Sequence, residues 1–106
     1  MQGFQKHYLR GLAHALKPAV MIGQKGINDS LLKAFDEALN DHELIKVKFI
    51  DFKEKAQKKE LIDELERRCL AEVVGLTGHI AIFYRQQRDP EKRRITLPRR
   101  KAANEQ

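Results

Sequence analysis

Hydrophobic and polar positions along this chain follow first a helical period and then a strand period. Residues 4–16 carry apolar side chains at four-residue steps, which predicts a helix whose apolar face packs on the core. This apolar stripe consists of Phe4, Tyr8, Leu12 and Leu16. A second, basic stripe on the same helix consists of Lys6, Arg10, His14 and Lys17. Pro18 ends the helix.

Further along, the pattern predicts a strand at 19–22, a helix at about 29–41, a strand at 44–50, a helix at about 54–69 and two short strands within 71–84. In the strand 44–50, apolar residues alternate with Lys46 and Lys48, so one face is buried and the other is basic. Gly75–Gly78 is interpreted as the hairpin turn between the last two strands.

The alternation of helices and strands favours the α/β class. We expect a four-stranded mixed sheet with the helices on one face, which leaves Lys46 and Lys48 on the other. The 106 residues fit one domain. We assign residues 1–86 to this domain and 87–106 to a basic C-terminal tail, for which docking, contact with nucleic acid and disorder all remain open.

Positive charge is concentrated at the two ends of the chain. Residues 1–26 carry a net charge of +4, residues 27–70 one of −2, and residues 71–106 one of +4. If the ends meet in space they form one basic face, which is typical of nucleic-acid binders.

Cysteine content and hydropathy predict a reduced, cytoplasmic protein. Cys69 is the one cysteine and has no partner for an internal disulfide. The N-terminus lacks the apolar segment of a secretory signal. No apolar run approaches the roughly 18–20 residues that span a bilayer, so we expect no membrane partner.

The segment with the clearest functional signal is 19–30, a short strand followed by a two-glycine loop and a helix start. Asn28 is a suitable N-cap. Gly23 and Gly26 leave a ligand unobstructed access to the backbone, while Gln24 and Lys25 offer donors beside a positive helix end. This loop is a candidate phosphate site; the alternative is an ordinary turn that needs glycine twice.

Catalysis and metal binding receive little support from the sequence. The histidines and Cys69 lack the spacing of metal ligands, so no metal or other cofactor is expected. The carboxylates lie in solvated helix faces, and no serine has the context of a nucleophile. We therefore predict a protein that is not an enzyme and has no catalytic residues.

Several segments together resemble the CRM domain family (chloroplast RNA splicing and ribosome maturation), and more closely its stand-alone bacterial YhbY-like members. The resemblance is carried by residues 8–14 (YLRGLAH), 16–18 (LKP), 22–26 (IGQKG), 38–39 (AL), 42–48 (HELIKVK) and 83–85 (FYR). It extends over roughly residues 4–100. The family's GxxG loop corresponds to Gly23–Gly26, whereas Gly75 is an extra glycine, which argues against a second clamp at 75–78.

The resemblance implies an RNA-binding module that associates with ribosomal RNA in precursors of the large subunit. The implied fold is an α+β two-layer sandwich, similar to the C-terminal domain of translation initiation factor three. A monomer is the simplest expectation, and duplex DNA is not an expected partner because no major-groove recognition helix is evident. The predicted RNA-binding residues are Lys6, Arg10, Lys17, Gly23, Gln24, Lys25, Gly26, Lys46, Lys48 and Arg85. The alternative is an adapter that docks to a ribosomal or assembly protein without contacting RNA.

Overall fold

The computed structural model describes residues 1–51 and 54–99. Within them the elements are helix α1 (Gly3–Ala13), strand β1 (Pro18–Ile22), helix α2 (Asp29–His42), strand β2 (Leu44–Phe49), helix α3 (Lys55–Cys69), strand β3 (Glu72–Thr77), strand β4 (Ile80–Tyr84) and a 3-10 turn (Pro90–Lys92). The predicted order of helices and strands is confirmed. Across these two ranges, no helix has the length and apolar character needed to cross a membrane.

The four strands form one mixed sheet, as predicted, and their order in it is β1-β2-β4-β3. Strand β1 is parallel to β2, with Ile22 beside Phe49, and the other neighbouring strands are antiparallel. Helix α2 makes the crossover that a parallel pair requires. The carboxyl ends of β1 and β2 thus share one end of the sheet, here called the loop end. The β3–β4 turn lies there too, because the Phe49 N–H donates to the His79 carbonyl at 2.8 Å.

Apolar side chains are buried on both faces of this sheet. The larger cluster lies between the sheet and helices α2 and α3, and the rings of Phe35 and Phe83 meet edge to face there with centroids 5.0 Å apart. The smaller cluster lies under α1 and consists of Leu9, Ala13, Leu44, Val74 and Tyr84.

The prediction that all helices pack on one face is therefore wrong, since α1 covers the face opposite α2 and α3. Leu44 and Tyr84 are neighbours in the sheet. They lie on the same face as Lys46, opposite the face of Ile45. Apolar side chains at the start of β2 and the end of β4 need cover on this face, and α1 supplies it. Lys46 and Lys48 do lie opposite α2 and α3, but they share their face with α1.

Helix α1 buries a different row of side chains from the predicted one. Leu9 and Ala13 are fully buried, whereas the four residues of the apolar stripe remain 36 to 42% exposed. A step of four residues overshoots a full helical turn by about 40°, so the stripe winds away from a single line of contact. The buried row runs between the apolar and the basic stripe, which places the two stripes on opposite flanks of α1.

The segment 75–78 is not the hairpin turn that the sequence predicts. Strand β3 runs through all but the last of these residues, and the turn consists of Gly78 and His79. Gly78 has a φ of +59°, as tight two-residue hairpins require. Gly75 lies at a register shift inside β3, where a Cβ would stand 2.8 Å from Cδ of Arg10. The missing side chain leaves room for the arginine to cross the strand.

Residues 87–99, here called the C-terminal strap, pack against the domain. Ile95 and Leu97 are partly buried against the smaller cluster. Arg100 and Lys101, which belong to the predicted basic tail, lie outside the described residues. The division into a domain at 1–86 and a tail at 87–106 stays a prediction.

Candidate nucleic-acid interface

The loop 23–26 joins β1 to α2 at the loop end of the sheet. The Gly26 N–H donates to the Gly23 carbonyl at 2.9 Å, which closes a tight turn. Gly26 has a φ of +66°, a backbone conformation that residues with side chains disfavour. The turn exposes Gln24 and Lys25 at its tip, where a ligand can reach both side chains.

Helix α2 starts directly after this loop and is capped as predicted. The Leu31 N–H donates to Oδ1 of Asn28 at 2.8 Å, and the Leu32 N–H donates to the Asn28 carbonyl at 2.9 Å. A capped helix start presents the positive end of the helix dipole. Lys25 therefore adds a full charge beside a partial positive charge, a combination that favours anions.

An open depression of about 570 Å³ lies beside the loop. Its lining includes Lys25 and Met21, but also the acidic residue Asp51, which has a φ of +67°. An anion in this depression is attracted by the lysine and the helix start and repelled by the aspartate. The favoured position for a phosphate is consequently on the Lys25 side.

Lys48 lies close to this depression. In the β1–β2 pair it stands beside Met21, which is 58% exposed and forms part of the depression. Lys46 lies on the same face one side-chain repeat further from the loop and is half-buried. The structure thus brings Lys48 together with the loop residues, while Lys46 is less accessible.

Lys17 lies at the opposite end of β1 from the loop. The five residues of this strand place it about 16 Å from the loop. Together with Leu12, Leu16 and Arg94, it lines a groove of about 420 Å³. It shares the β1 side of the molecule with Lys25 but does not contact the loop.

Lys6 and Arg10 occupy the other flank of α1, at the edge strand β3. The Lys6 Nζ is 3.9 Å from a carboxylate oxygen of Glu72, and Nη1 of Arg10 donates to the Val74 carbonyl at 2.9 Å. Both residues line a groove of about 550 Å³. Helix α1 separates them from Lys17 and the loop, so the predicted continuous basic stripe is divided between two surfaces.

Two lysines that the sequence analysis did not select line this same groove. They are Lys55 and Lys59, one turn apart on α3. Their i, i+4 spacing could have identified this pair in the sequence, because it places both lysines on one face of the helix. Lys58 behaves differently: it is buried, and its Nζ donates to the Gly78 carbonyl at 2.9 Å.

Arg85 lies on the face of α2 and α3, away from Lys46 and Lys48. Its Nη1 donates to Oδ1 of Asp36 at 2.7 Å and to the Cys69 carbonyl at 2.8 Å. Its Nη2 donates to the Asp36 carbonyl at 3.1 Å and to Oδ1 of Asn40 at 2.9 Å. The guanidinium thus ties the end of β4 to both helices. These contacts do not test its predicted role as an RNA-binding residue, but its position on this face argues against that role.

Cys69 and the potential metal ligands are the side chains that bear on catalysis. Burial raises the pKa of the Cys69 thiol, and the nearby Asp36 carboxylate raises it further. A protonated thiol is a poor nucleophile. Among the described residues, no three histidine, cysteine, aspartate or glutamate side chains are placed to hold a metal ion.

Comparison with known proteins adds to this geometry. Residues 1–85 match the family model of the CRS1/YhbY (CRM) domain. The chain belongs to this family. A Haemophilus influenzae relative named "RNA-binding protein" is 41% identical over 96 residues, which cover 91% of this chain and 93% of the relative.

Two further relatives cover nearly the whole chain. "Probable RNA-binding protein YqeI" of Bacillus subtilis is 33% identical over 98 residues, covering 92% of this chain and 99% of the relative. The solution structure of a hypothetical protein from Staphylococcus aureus superimposes with a TM-score of 0.76 at 37% identity, covering 92% of this chain and 99% of that one. The family resemblance and the fold class expected from the sequence are both confirmed.

Proposed function

We propose that this protein binds structured RNA through the loop end of its sheet. The observation that carries the proposal is the exposed loop 23–26 at the capped start of α2. The helix start attracts a phosphate, Lys25 adds a full charge, and the two glycines allow close approach of the RNA backbone. Gln24 donates hydrogen bonds from its amide, and Lys48 contacts the neighbouring phosphates.

The family and its named members support RNA as the ligand. Curated relatives that carry RNA-binding in their names match more than nine-tenths of this chain. In KH domains, a different RNA-binding module, a GxxG loop clamps the nucleic-acid backbone. The loop 23–26 offers the same elements at an accessible position.

The RNA we propose is ribosomal RNA in precursors of the large subunit, where the protein assists assembly in the cytoplasm. This finer proposal is supported by the resemblance to stand-alone YhbY-like proteins. Crosslinking in cells, followed by sequencing of the attached RNA, tests it. Enrichment of large-subunit precursor sequences supports it, and enrichment of messenger or small-subunit RNA alone would overturn it.

A protein-interaction adapter is the second candidate function, and one observation favours it. The apolar stripe of α1 remains 36 to 42% exposed, and exposed apolar surface is typical of protein-docking sites. The two functions differ in their response to salt. Phosphate contacts make affinity fall steeply with salt concentration, whereas an apolar protein interface gives a shallow dependence.

Neutralising Lys17 and Lys48 together to glutamine is expected to flatten the salt dependence of RNA binding. Each lost phosphate contact removes roughly 0.7–0.9 log units of affinity per log unit of salt, so the slope falls by up to about 1.4–1.8. Fluorescence titration of a labelled ribosomal RNA fragment at several salt concentrations measures this slope. Lys17 and Lys48 are chosen because neither forms an ion pair within residues 1–51 and 54–99.

The matched control is Arg67→Gln with Arg68→Gln, which removes two charges from the end of α3. Both residues are exposed, and the one ion pair involved, Arg68 with Glu64, is a surface pair of little energetic value. The control variant should keep the wild-type slope. Equal flattening in both variants would show that net charge alone matters and that the proposed surface is wrong.

Replacing Asp51 with asparagine is expected to tighten RNA binding by about two- to fivefold. Asp51 lines the depression beside the loop, and removing its negative charge eliminates repulsion of a nearby phosphate. Asparagine tolerates the positive φ of this position, so the backbone is retained. The gain should shrink at high salt. Unchanged affinity at low salt would place the bound phosphate away from this depression.

A further inference from the structure

One buried carboxylate holds the C-terminal strap in place. Oε1 of Glu43 accepts hydrogen bonds from the backbone N–H groups of Arg94 at 2.6 Å and Ile95 at 2.9 Å. Its Oε2 accepts a third bond from the Gln87 N–H at 2.8 Å. Since Glu43 is 1% exposed, these bonds form away from water, where an unpaired carboxylate would be costly.

The backbone at Glu43 is also unusual. It directly follows α2 with a φ of +63°, a conformation that favours glycine after a helix. A glutamate that adopts it needs compensation from its surroundings, and the three strap N–H groups provide this. Its carbonyl accepts a further bond from the Arg85 N–H at 2.9 Å.

Other contacts hold the strap along its length. Ile95 and Leu97 pack on the smaller cluster, and Nε2 of Gln5 in α1 donates to the Pro98 carbonyl at 3.2 Å. Near the start of the strap, Nε2 of Gln87 donates to the Asn40 carbonyl at 2.7 Å. The anchoring groups are thus backbone amides, apolar side chains and neutral amides.

Apart from Arg93, the basic side chains of the strap are left available by this arrangement. In the described part of the chain, none of them has a carboxylate oxygen within 4.0 Å. The guanidinium of Arg93 is occupied by the Gln87 and Arg88 carbonyls. Arg94 lines the groove that also contains Lys17, and Lys92 lies beside Arg94 in a shallow depression that also contains the acids Asp41 and Glu91.

We propose that the strap is a second RNA-binding element, in which Lys92 and Arg94 contact the phosphate backbone and Glu43 holds them in position. This inference rests on the proposed function. Arg94 extends the positive charge of Lys17 at the end of the β1 side remote from the loop 23–26. An RNA held at the loop therefore meets a second group of cations at the opposite end of β1. The strap lies beyond the residues that the family model matches.

The direct test neutralises the strap cations as Lys92→Gln with Arg94→Gln. RNA affinity should fall about three- to tenfold, and the salt slope should decrease by up to about 1.4–1.8. The side chains are exposed, so the melting temperature should not change. The same labelled ribosomal RNA fragment and the Arg67→Gln/Arg68→Gln control serve here.

A second variant, Glu43→Gln, tests the positioning role. It replaces one carboxylate oxygen by an NH₂ group that faces a backbone N–H, so at least one anchor of the strap is lost. The variant gains one unit of positive net charge, from which tighter RNA binding would follow if charge alone mattered. We expect two- to fivefold weaker binding instead, with faster hydrogen exchange at the Gln87, Arg94 and Ile95 amides.

The outcomes separate this inference from the proposed function. If wild-type affinity and slope persist in Lys92→Gln/Arg94→Gln while substitution of Gln24 and Lys25 weakens binding, the strap inference is wrong and the loop proposal stands. Tighter binding by Glu43→Gln would likewise overturn the positioning role. If neither the loop nor the strap variants change binding, the proposed function itself fails.

Discussion

Changing Gln24 and Lys25 together to aspartate is expected to weaken RNA binding at least tenfold, about 1.4 kcal/mol. The substitution replaces an amide and an ammonium donor by two carboxylates at the tip of the loop. The phosphate that the capped start of α2 attracts would then be repelled at close range. Both side chains are exposed, so the melting temperature should remain close to the wild-type value. Titration of a ribosomal RNA fragment and a thermal melt measure the two quantities.

A control for this variant must change the net charge equally. Gln57→Asp with Arg67→Asp does so, because it replaces one neutral and one positive exposed side chain on α3. This control should lose much less affinity than the loop variant. Unchanged binding by the loop variant would return residues 23–26 to the role of an ordinary turn, and equal losses in both would leave only net charge as the explanation.

The elements that the sequence predicted best are those whose signals are local. The alternation around Lys46 and Lys48 reports a strand with one buried face, because the side-chain period of a strand is two. Asn28 reports a helix start because its side chain caps amides only three residues away. Neither inference needs to know which elements meet in space.

The incorrect predictions concern which surfaces meet. Helix α1 carries apolar side chains on about half of its circumference, and the sequence does not say which row the sheet selects. The choice follows from the apolar pair Leu44 and Tyr84, which comes together only when β2 pairs with β4. Burial of Leu9 then leaves the longer apolar stripe half-exposed.

The polar contacts of the site could not be predicted from the sequence for the same reason. Glu43 is 44 to 52 residues away in the sequence from the strap N–H groups whose hydrogen bonds it accepts. Arg85 is 49 residues away from its partner Asp36. From sequence alone, a charged residue is predicted to be exposed unless its distant partner is known. The sequence therefore located the loop, but not the division of the remaining cations between separate surfaces.

Substitution of Arg85 is expected to lower the stability of the protein without changing its RNA affinity. Replacing it with methionine keeps most of the side-chain length but removes four hydrogen bonds. Their acceptors are the Asp36 and Cys69 carbonyls, the Asp36 carboxylate and the Asn40 side-chain oxygen. The bond to the Cys69 carbonyl is partly buried and the other three are exposed, so their combined loss costs about 1–2 kcal/mol.

For a domain of this size, such a loss lowers the melting temperature by roughly 5–15 °C. The RNA affinity of the folded Arg85→Met variant, measured well below its melting temperature, should match the wild type, because the guanidinium faces α2 and α3 and not the loop. Arg67→Met is the matched control: Arg67 lies on α3, is exposed, and should change neither quantity. A stable Arg85→Met variant with weakened RNA binding would instead extend the RNA-binding surface to the face of α2 and α3.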